Sequence, residues 1–324
     1  MKKNICFFSA FLLFCLTACN EEDFSVREHY KYMIYLLSEN TDNVFSAEYD
    51  LEAITEEGAI TSYLSVGCGG SLSNPEEFIV ELEPDEVLFD KYNRSNFDID
   101  YSKYARLLPE EKFQLGTTRV VFPANNPDQY VKVPITVQIG GLSPDSIYFI
   151  PLSIKSTSKY EVNKEKSAVL FRVTIKNDYA EQLNDTYYQL KGNVLSEDGN
   201  NLGVSTSKLV RPLTKNSVRL YAGSNTQTIK TATVQDIQKY SIILTIDEKN
   251  QVRITPYGTI QIEQLDGGEE WNRYEEAKTY ADTKIVKRFY LYYRYRTLKS
   301  RATTTTPEVW DNWITIKETL KRME

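Results

Sequence analysis

Histidine is almost absent from this 324-residue chain: His29 is the only one. That absence removes most metal and nucleophilic chemistry. Zinc sites need clusters of His and Cys, and a Ser-His-Asp triad needs an imidazole in a folded cleft, whereas His29 lies near the N-terminus. Cysteine is as scarce. Of the four, Cys6 and Cys15 fall in an apolar leader, Cys19 ends it, and only Cys68 remains beyond it, so the exported chain forms no internal disulfide. Cys68 sits in Gly67-Cys68-Gly69-Gly70 with no base to lower its pKa, and reads as an inert thiol rather than a nucleophile. Positive charge is in deficit too: 38 Lys+Arg against 45 Asp+Glu give a formal net charge of -7. Loss of Lys2 and Lys3 with the leader makes it more negative still. Such a chain is a poor partner for nucleic acid, whose affinity rests on neutralised phosphates, or for an anionic bilayer read by a basic patch. There is no P-loop and no dinucleotide fingerprint, so no cofactor is expected.

The start of the chain is the most informative segment present. Lys2 and Lys3 form a basic head, an apolar run extends from Ile5 to Leu16, and small residues follow. That order predicts a secretory signal over residues 1–18, and the run is too short to cross a bilayer as a helix. Its exit, Leu16-Thr17-Ala18-Cys19, resembles a bacterial lipobox, in which the cysteine is acylated and becomes the first residue. The alternative is an ordinary signal peptide with a chance cysteine. Asn20-Glu21-Glu22-Asp23 resembles the surface-export signal of Bacteroidetes lipoproteins. Together these imply lipidation of Cys19, a polar tether over 19–28, and an outer-membrane, lipid-anchored protein facing the cell exterior. Several acyl chains are needed for firm attachment.

Tyrosine is abundant, with 23 copies, and aromatic and β-branched residues favour strands. Residues 77–82 and 130–139 alternate with a period of two, the second run placing Val131, Val133, Ile135, Val137 and Ile139 on one face. Pro134 cannot donate to a ladder, so this strand is expected at an edge or bulged. The segment from Asp85 to Tyr92 continues into a polar stretch, Asn93 to Ser102, with no period of its own. A strand over 168–175 ends at the polar Lys176-Asn177-Asp178, the expected seam between a domain over 29–176 and another over 177–324. The second domain reads as short strands, with a hairpin about residues 247–250. Residues 235–239 suit one helical turn, and 310–320 suits either a short helix or a strand. The predicted fold class is all-β: a sandwich, then an antiparallel barrel or second sandwich.

Several blocks carry a family resemblance. Phe78-Ile-Val-Glu-Leu82, Val87-Leu-Phe-Asp-Lys-Tyr-Asn93, Tyr104-Ala-Arg-Leu-Leu-Pro109 before Phe113, and Val131-Lys-Val-Pro-Ile-Thr-Val137 occur in order. Gly141-Leu-Ser-Pro-Asp-Ser-Ile-Tyr-Phe-Ile-Pro-Leu-Ser-Ile154 closes the series and is the most specific. This order resembles the BT_3987-like N-terminal domain of Bacteroidetes surface lipoproteins, which implies an immunoglobulin-type sandwich. Trp271-Asn-Arg-Tyr274 and Phe289-Tyr-Leu-Tyr-Tyr-Arg-Tyr295 resemble the BT_3044-like C-terminal domain. The resemblance implies an accessory lipoprotein of a starch-utilisation-like glycan uptake system, beside an outer-membrane transporter and its partner lipoprotein. In some relatives a glycosidase barrel follows the first domain. Here the remaining residues are too few and lack alternating strands and helices, whereas a (β/α)₈ barrel needs roughly 200 or more, so no enzyme activity is implied.

The candidate binding face is the 289–296 run. Phe289, Leu291, Tyr293 and Tyr295 form a core face, leaving Tyr290, Tyr292, Arg294 and Arg296 on the other. Rings with guanidinium donors suit a sugar, since the ring stacks on the apolar face of a pyranose and donors take hydroxyls. They equally suit a protein interface, or plain cross-strand packing. Trp271, after the Gly267-Gly268-Glu269-Glu270 loop, is the first candidate for an exposed platform, with Tyr274 beside it; Trp310 and Trp313 also lie in polar neighbourhoods. Asp98 and Asp100 suit a solvated loop better than calcium, which takes about six or more oxygens. Ser146, in Asp145-Ser146-Ile147, resembles a short Bacteroidetes O-glycosylation site. The leading function is non-catalytic binding of a polysaccharide or oligosaccharide; the alternative is a scaffold that docks to the transporter complex without touching sugar.

Overall fold

The computed structural model describes residues 27–39, 41–227, 232–279, 284–302, 304 and 307–323; the signal, Cys19 and most of the tether lie outside the described residues. The first unit contains β1 (Met33–Leu36), β2 (Val44–Asp50), β3 (Ala59–Gly69), β4 (Phe78–Pro84), helix α1 (Glu86–Phe97), β5 (Arg106–Leu107), β6 (Phe113–Leu115) and β7 (Arg119–Phe122). It continues through β8 (Tyr130–Gln138), β9 (Tyr148–Thr157), β10 (Glu161–Val162) and β11 (Ala168–Lys176). One sheet runs β10-β1-β3-β8-β6 and the other β2-β11-β9-β4-β7, with β5 also on β9. Alternation turns Leu64, Val66, Val133 and Ile135 of the first sheet toward Val80, Ile150, Val169 and Phe171 of the second, all in one core. Each fully buried chain of this kind contributes about 1.5–3 kcal/mol. Two faces sharing one core make a sandwich. Cys68 is buried, and burial pushes its thiol up to about 11, with Glu28 adding to the effect.

The fold is predominantly β but not all-β. Helix α1 occupies residues that show no helical period because Val87 points to solvent (78% exposed) while Leu88, Phe89 and Tyr92 pack beside Phe149 and Leu170. Asp85 caps it by accepting from the Val87 N–H at 3.0 Å. Pro134 is not in a bulge, and it stands where β8 becomes an edge: β3 pairs with β8 throughout, but β6 pairs only with Ile135 to Val137. Strand β8 lies between β3 and β6, and β6 ends at Leu115, opposite Ile135, so no ladder bond is asked of the proline nitrogen. Gly116 follows there, where an added Cβ would come 2.5 Å from Pro134 Cγ.

The second unit contains β12 (Thr186–Ser196), β13 (Asn201–Thr214), β14 (Ser217–Tyr221), helix α2 (Val234–Tyr240), β15 (Ser241–Ile246), β16 (Val252–Pro256) and β17 (Gln261–Gln264). It ends with β18 (Arg273–Lys278), β19 (Ile285–Arg296), β20 (Leu298–Ser300), β21 (Val309–Trp310) and β22 (Ile314–Met323). Thus the 310–320 segment is strand, and residues 235–239 lie within α2, capped by a Thr233–Asp236 box. The sheet runs β16-β15-β14-β13-β12-β22-β19-β17, with β18 also on β19. Its ends nearly meet. Val252 N–H donates to Asn272 O (2.7 Å) and Tyr274 N–H to Asn250 O (2.8 Å), while the Gln264 side chain bonds Ile254 N–H (2.8 Å) and Val252 O (3.1 Å). A nearly closed barrel results, which removes most exposed edge.

The turn between β8 and β9 joins the two units. Asp145 Oδ1 accepts from Arg219 Nη2 (2.6 Å) and Gln227 Nε2 (3.0 Å). Gln182 Nε2 donates to the carbonyls of Pro144 (3.1 Å) and Ser146 (3.0 Å). Arg219 is fully buried; burial pulls its pKa down, and Asp145 opposes that. Asn177 holds the connecting link by donating to the carbonyls of Thr214 (2.7 Å) and Ser217 (3.0 Å).

Candidate functional site

The barrel interior is filled by its own side chains. Tyr188, Leu190, Leu220, Ile242, Phe289, Leu291 and Ile316 are each without exposed surface. Among them lies an ionic cluster: Lys208 Nζ donates to Glu318 Oε1 and Oε2 at 3.1 and 2.9 Å, and Tyr293 Oη donates to Glu318 Oε1 at 2.8 Å. The Tyr293 oxygen accepts from Gly223 N–H at 2.8 Å. Burial pulls Lys208 down against the pull of Glu318, while burial and Glu318 push the Tyr293 hydroxyl well above its ordinary value. Gly192 lies against this carboxylate's strand: an added Cβ would sit 2.9 Å from Glu318 Cβ. A ligand must therefore meet the barrel from outside.

The outer side of β19 is where the sequence places its candidate residues, and alternation delivers most of them. Phe289, Leu291, Tyr293 and Tyr295 are buried, so Tyr290, Tyr292, Arg294 and Arg296 face outward, half-buried. Trp271 joins them from the loop before β18. Its ring lies edge-on to Tyr290 (6.3 Å) and Tyr292 (6.4 Å). It is a half-buried member of a cluster rather than a free-standing platform.

Tyr274 does not belong to this face. It occupies the inward position between Arg273 and Glu275 on β18, is 7% exposed, and packs against Tyr179 and Phe289 with centroids 5.0 Å away. Its hydroxyl donates to Glu276 at 3.1 Å, and burial pushes its pKa up.

Residues that sequence reasoning did not assign complete the array. Arg273 lies over Tyr290 (4.2 Å to the centroid), and Lys317 covers Trp271 (4.4 Å) and Tyr292 (5.2 Å). Arg294 and Arg296 each lie 4.8 Å from the Trp313 ring, and Arg296 reaches Trp310 at 5.3 Å. Cation–π contacts of this kind contribute about 0.5–1 kcal/mol each at exposed sites. The signal for Trp313 and Lys317 lies in the Trp313-Thr315-Lys317 alternation, which becomes legible once 314–323 is known to be strand. Arg294 also bonds Glu263 (2.6 Å) and Arg296 bonds Gln261 (2.7 Å) across β17. The outward span from Tyr290 to Arg296 is about 20 Å at ~3.3 Å per residue, long enough to meet several units of a chain ligand.

Other candidates are placed elsewhere. Ser146 is half-buried at the junction, with Asp145 of its motif engaged by Arg219. Asp100 pairs with Lys103 at 2.6 Å and accepts from Ser102; among the described residues no group of three His, Cys, Asp or Glu side chains could hold a metal. A cleft of about 360 Å³ opens beside α2, lined by Gln238, Thr259, Leu298 and Arg301 among others. It shares no residue with the β19 array.

Two family models match the chain, an N-terminal-domain model over residues 29–161 and a C-terminal-domain model over residues 167–321. No curated protein matches. A Bacteroides ovatus structure of unknown function shares the fold with a TM-score of 0.68 at 15% identity, over 90% of this chain and 94% of that one. A multidomain protein from the same species aligns with a TM-score of 0.64 at 13% identity, over 90% and 94%. An auxiliary nutrient binding protein from Bacteroides thetaiotaomicron aligns with a TM-score of 0.59 at 14% identity, over 89% and 94%.

Proposed function

The chain belongs to the two-domain family that joins a BT_3987-like N-terminal domain to a BT_3044-like C-terminal domain, and from that premise we propose a non-catalytic accessory protein that binds a glycan at the cell surface. In this reading the first domain is an immunoglobulin-type support. The division falls at residue 177, and the barrel carries the ligand. Cys19 holds the lipid, and the acidic tetrapeptide after it directs display to the exterior. The outer-membrane transporter and its partner lipoprotein are the neighbours to which the glycan passes.

One observation carries the proposal: the half-exposed array of Tyr290, Trp271, Tyr292, Trp313 and Trp310, interleaved with guanidinium and ammonium donors. Rings of this kind stack on the apolar face of a pyranose while the donors take hydroxyls. The description of one fold relative as an auxiliary nutrient binding protein supports the same reading.

Affinity electrophoresis of the chain from Asn20 against a polysaccharide panel tests it. Retardation by at least one glycan, weakened by Trp271→Ala or Tyr292→Ala, is expected. No retardation by any glycan, together with co-purification of the native protein with a membrane partner, would make it a scaffold instead. Attachment is tested separately. Cys19→Ser should release the protein from membranes, and protease added to intact cells should remove the wild type; resistance until the outer membrane is broken would place it facing inward.

A further inference from the structure

Charge on the proposed binding face runs opposite to charge on the chain. The whole sequence carries -7, yet the outer surface of β18, β19, β22 and β12 is rich in cations. Register places them side by side: Arg288 lies opposite Lys321, Tyr292 opposite Lys317, and Tyr290 opposite Thr319, which is itself opposite Lys191. The inward neighbours Leu190, Ile316, Glu318 and Leu320 are buried, which fixes Lys191, Lys317 and Lys321 as outward.

Carboxylates neutralise only part of this surface. Arg273 and Arg288 share the single carboxylate of Glu275, at 2.8 and 3.0 Å, and Arg294 is paired with Glu263 at 2.5 Å. Arg296 has an amide partner, Gln261. Lys317 sits over two rings, and among the described residues Lys191, Lys317 and Lys321 have no carboxylate partner. Within the sheet face, seven cations meet two carboxylates; Asp266, Glu269 and Glu270 border it in the loop before Trp271, and Glu308 and Asp311 flank Trp310. On a chain with more acids than bases, this local excess repels most of what an acidic surface would attract, and attracts what that surface would repel.

We infer that the glycan recognised by this face is anionic, bearing uronate carboxylates or sulfate esters along a chain whose pyranose rings stack on the aromatic array. The inference rests on the glycan-binding reading above and adds the ligand's charge. Lysines without a carboxylate partner supply point charges for the acidic groups, and Arg296 offers a planar fork suited to carboxylate or sulfate.

The test pairs acidic polysaccharides with neutral counterparts in affinity electrophoresis of the chain from Asn20: polygalacturonate with its methyl ester, and dextran sulfate with dextran. Retardation by an acidic member over its neutral counterpart, weakened at least tenfold between 50 and 500 mM salt, is expected. The first pair reports uronate and the second sulfate. Lys191→Gln and Lys321→Gln should each weaken acidic-glycan binding by about 2–5-fold, the range for one exposed charge pair. Equal retardation by both members of a pair, insensitive to salt, would overturn the anionic assignment while leaving glycan binding in place. Retardation by neither member of either pair overturns the anionic assignment too, and if the wider panel also fails, the glycan reading falls with it.

Discussion

Replacing Lys208 with methionine tests how the barrel is held. The ammonium donates to both oxygens of Glu318, and both side chains are buried, with 1% and 0% of their surface exposed. In Lys208→Met the carboxylate keeps only the Tyr293 hydroxyl, a neutral donor. Stranding one member of a buried pair costs about 3–5 kcal/mol. At ~2–4 °C per kcal/mol for a unit of this size, the melting temperature should fall by roughly 6–20 °C. Adding Glu318→Leu removes the stranded charge and should recover much of the loss, because apolar replacement of both partners is often near neutral. Recovery should be incomplete: Tyr293 would then lose its acceptor, at about 1–3 kcal/mol for an unsatisfied buried group. Urea titration followed by tryptophan fluorescence measures this, since Trp271, Trp310 and Trp313 all report on the second unit. The single and double variants should show a coupling of about 2 kcal/mol or more. Additive effects, or a Lys208→Met cost below about 1 kcal/mol, would refute the description of this pair as a desolvated unit.

Gly192→Ala should cost about 1–3 kcal/mol by overpacking, since its Cβ would sit against the Lys317 carbonyl and 2.8 Å from Glu318 Cα; an unchanged melting temperature would contradict this. Asp145→Ala leaves the fully buried Arg219 without a carboxylate, with the neutral Ser241 and Gln227 as hydrogen-bond partners and the Tyr257 ring beneath it, and should cost about 3–5 kcal/mol, with faster limited proteolysis around residues 176–179. Glu28 gives a pH-dependent clasp. Desolvation raises its pKa, but the N–H groups of Ser71, Leu72 and Tyr30 outweigh that and hold it at about 2, against 4.5 ordinarily. A depressed folded pKa means that the contact is at full strength above about 4.5 and is lost as pH falls toward 2. The protection of the Ser71 and Leu72 amides, which donate to Glu28, should fall across that window in the wild type when exchange is expressed relative to the intrinsic rate at each pH, and should show no such dependence in Glu28→Gln.

Strand identity was legible wherever one face is covered, because alternation then appears directly in residues such as Val131 to Val137. It was not legible for α1, whose outward Val87 breaks the helical stripe, nor for the first half of β13, where Asn201 to Ser207 offers mostly polar or small residues. Pro134 argued for an edge, and β8 has one only locally, where β6 stops beside the proline, a tertiary fact that the sequence does not show. On the binding face, Tyr290, Tyr292, Arg294 and Arg296 followed from a period of two on β19. Trp271 sits among them, although its cluster could not be foreseen. Tyr274 was misplaced because β18 is short and polar on both faces, so its phase was hidden until pairing of Tyr274 with Phe289 fixed it. Arg273 and Lys317 come from neighbouring strands, and only register brings them over the rings; Trp313 lies just before β22, under Arg294 and Arg296. The Asp145–Arg219 contact spans residues far apart in sequence and carries no local signal at all.

The central claim is that ligand meets the outer array of β19, and that array contains every tryptophan in the chain. Titrating the chain from Asn20 with a glycan that retards it, while recording tryptophan emission, therefore tests the claim most directly. The account predicts a saturable change in emission, diminished in Trp271→Phe, with a midpoint that matches the affinity from electrophoresis. Saturable binding with unaltered tryptophan emission would place the ligand elsewhere on the molecule and contradict it.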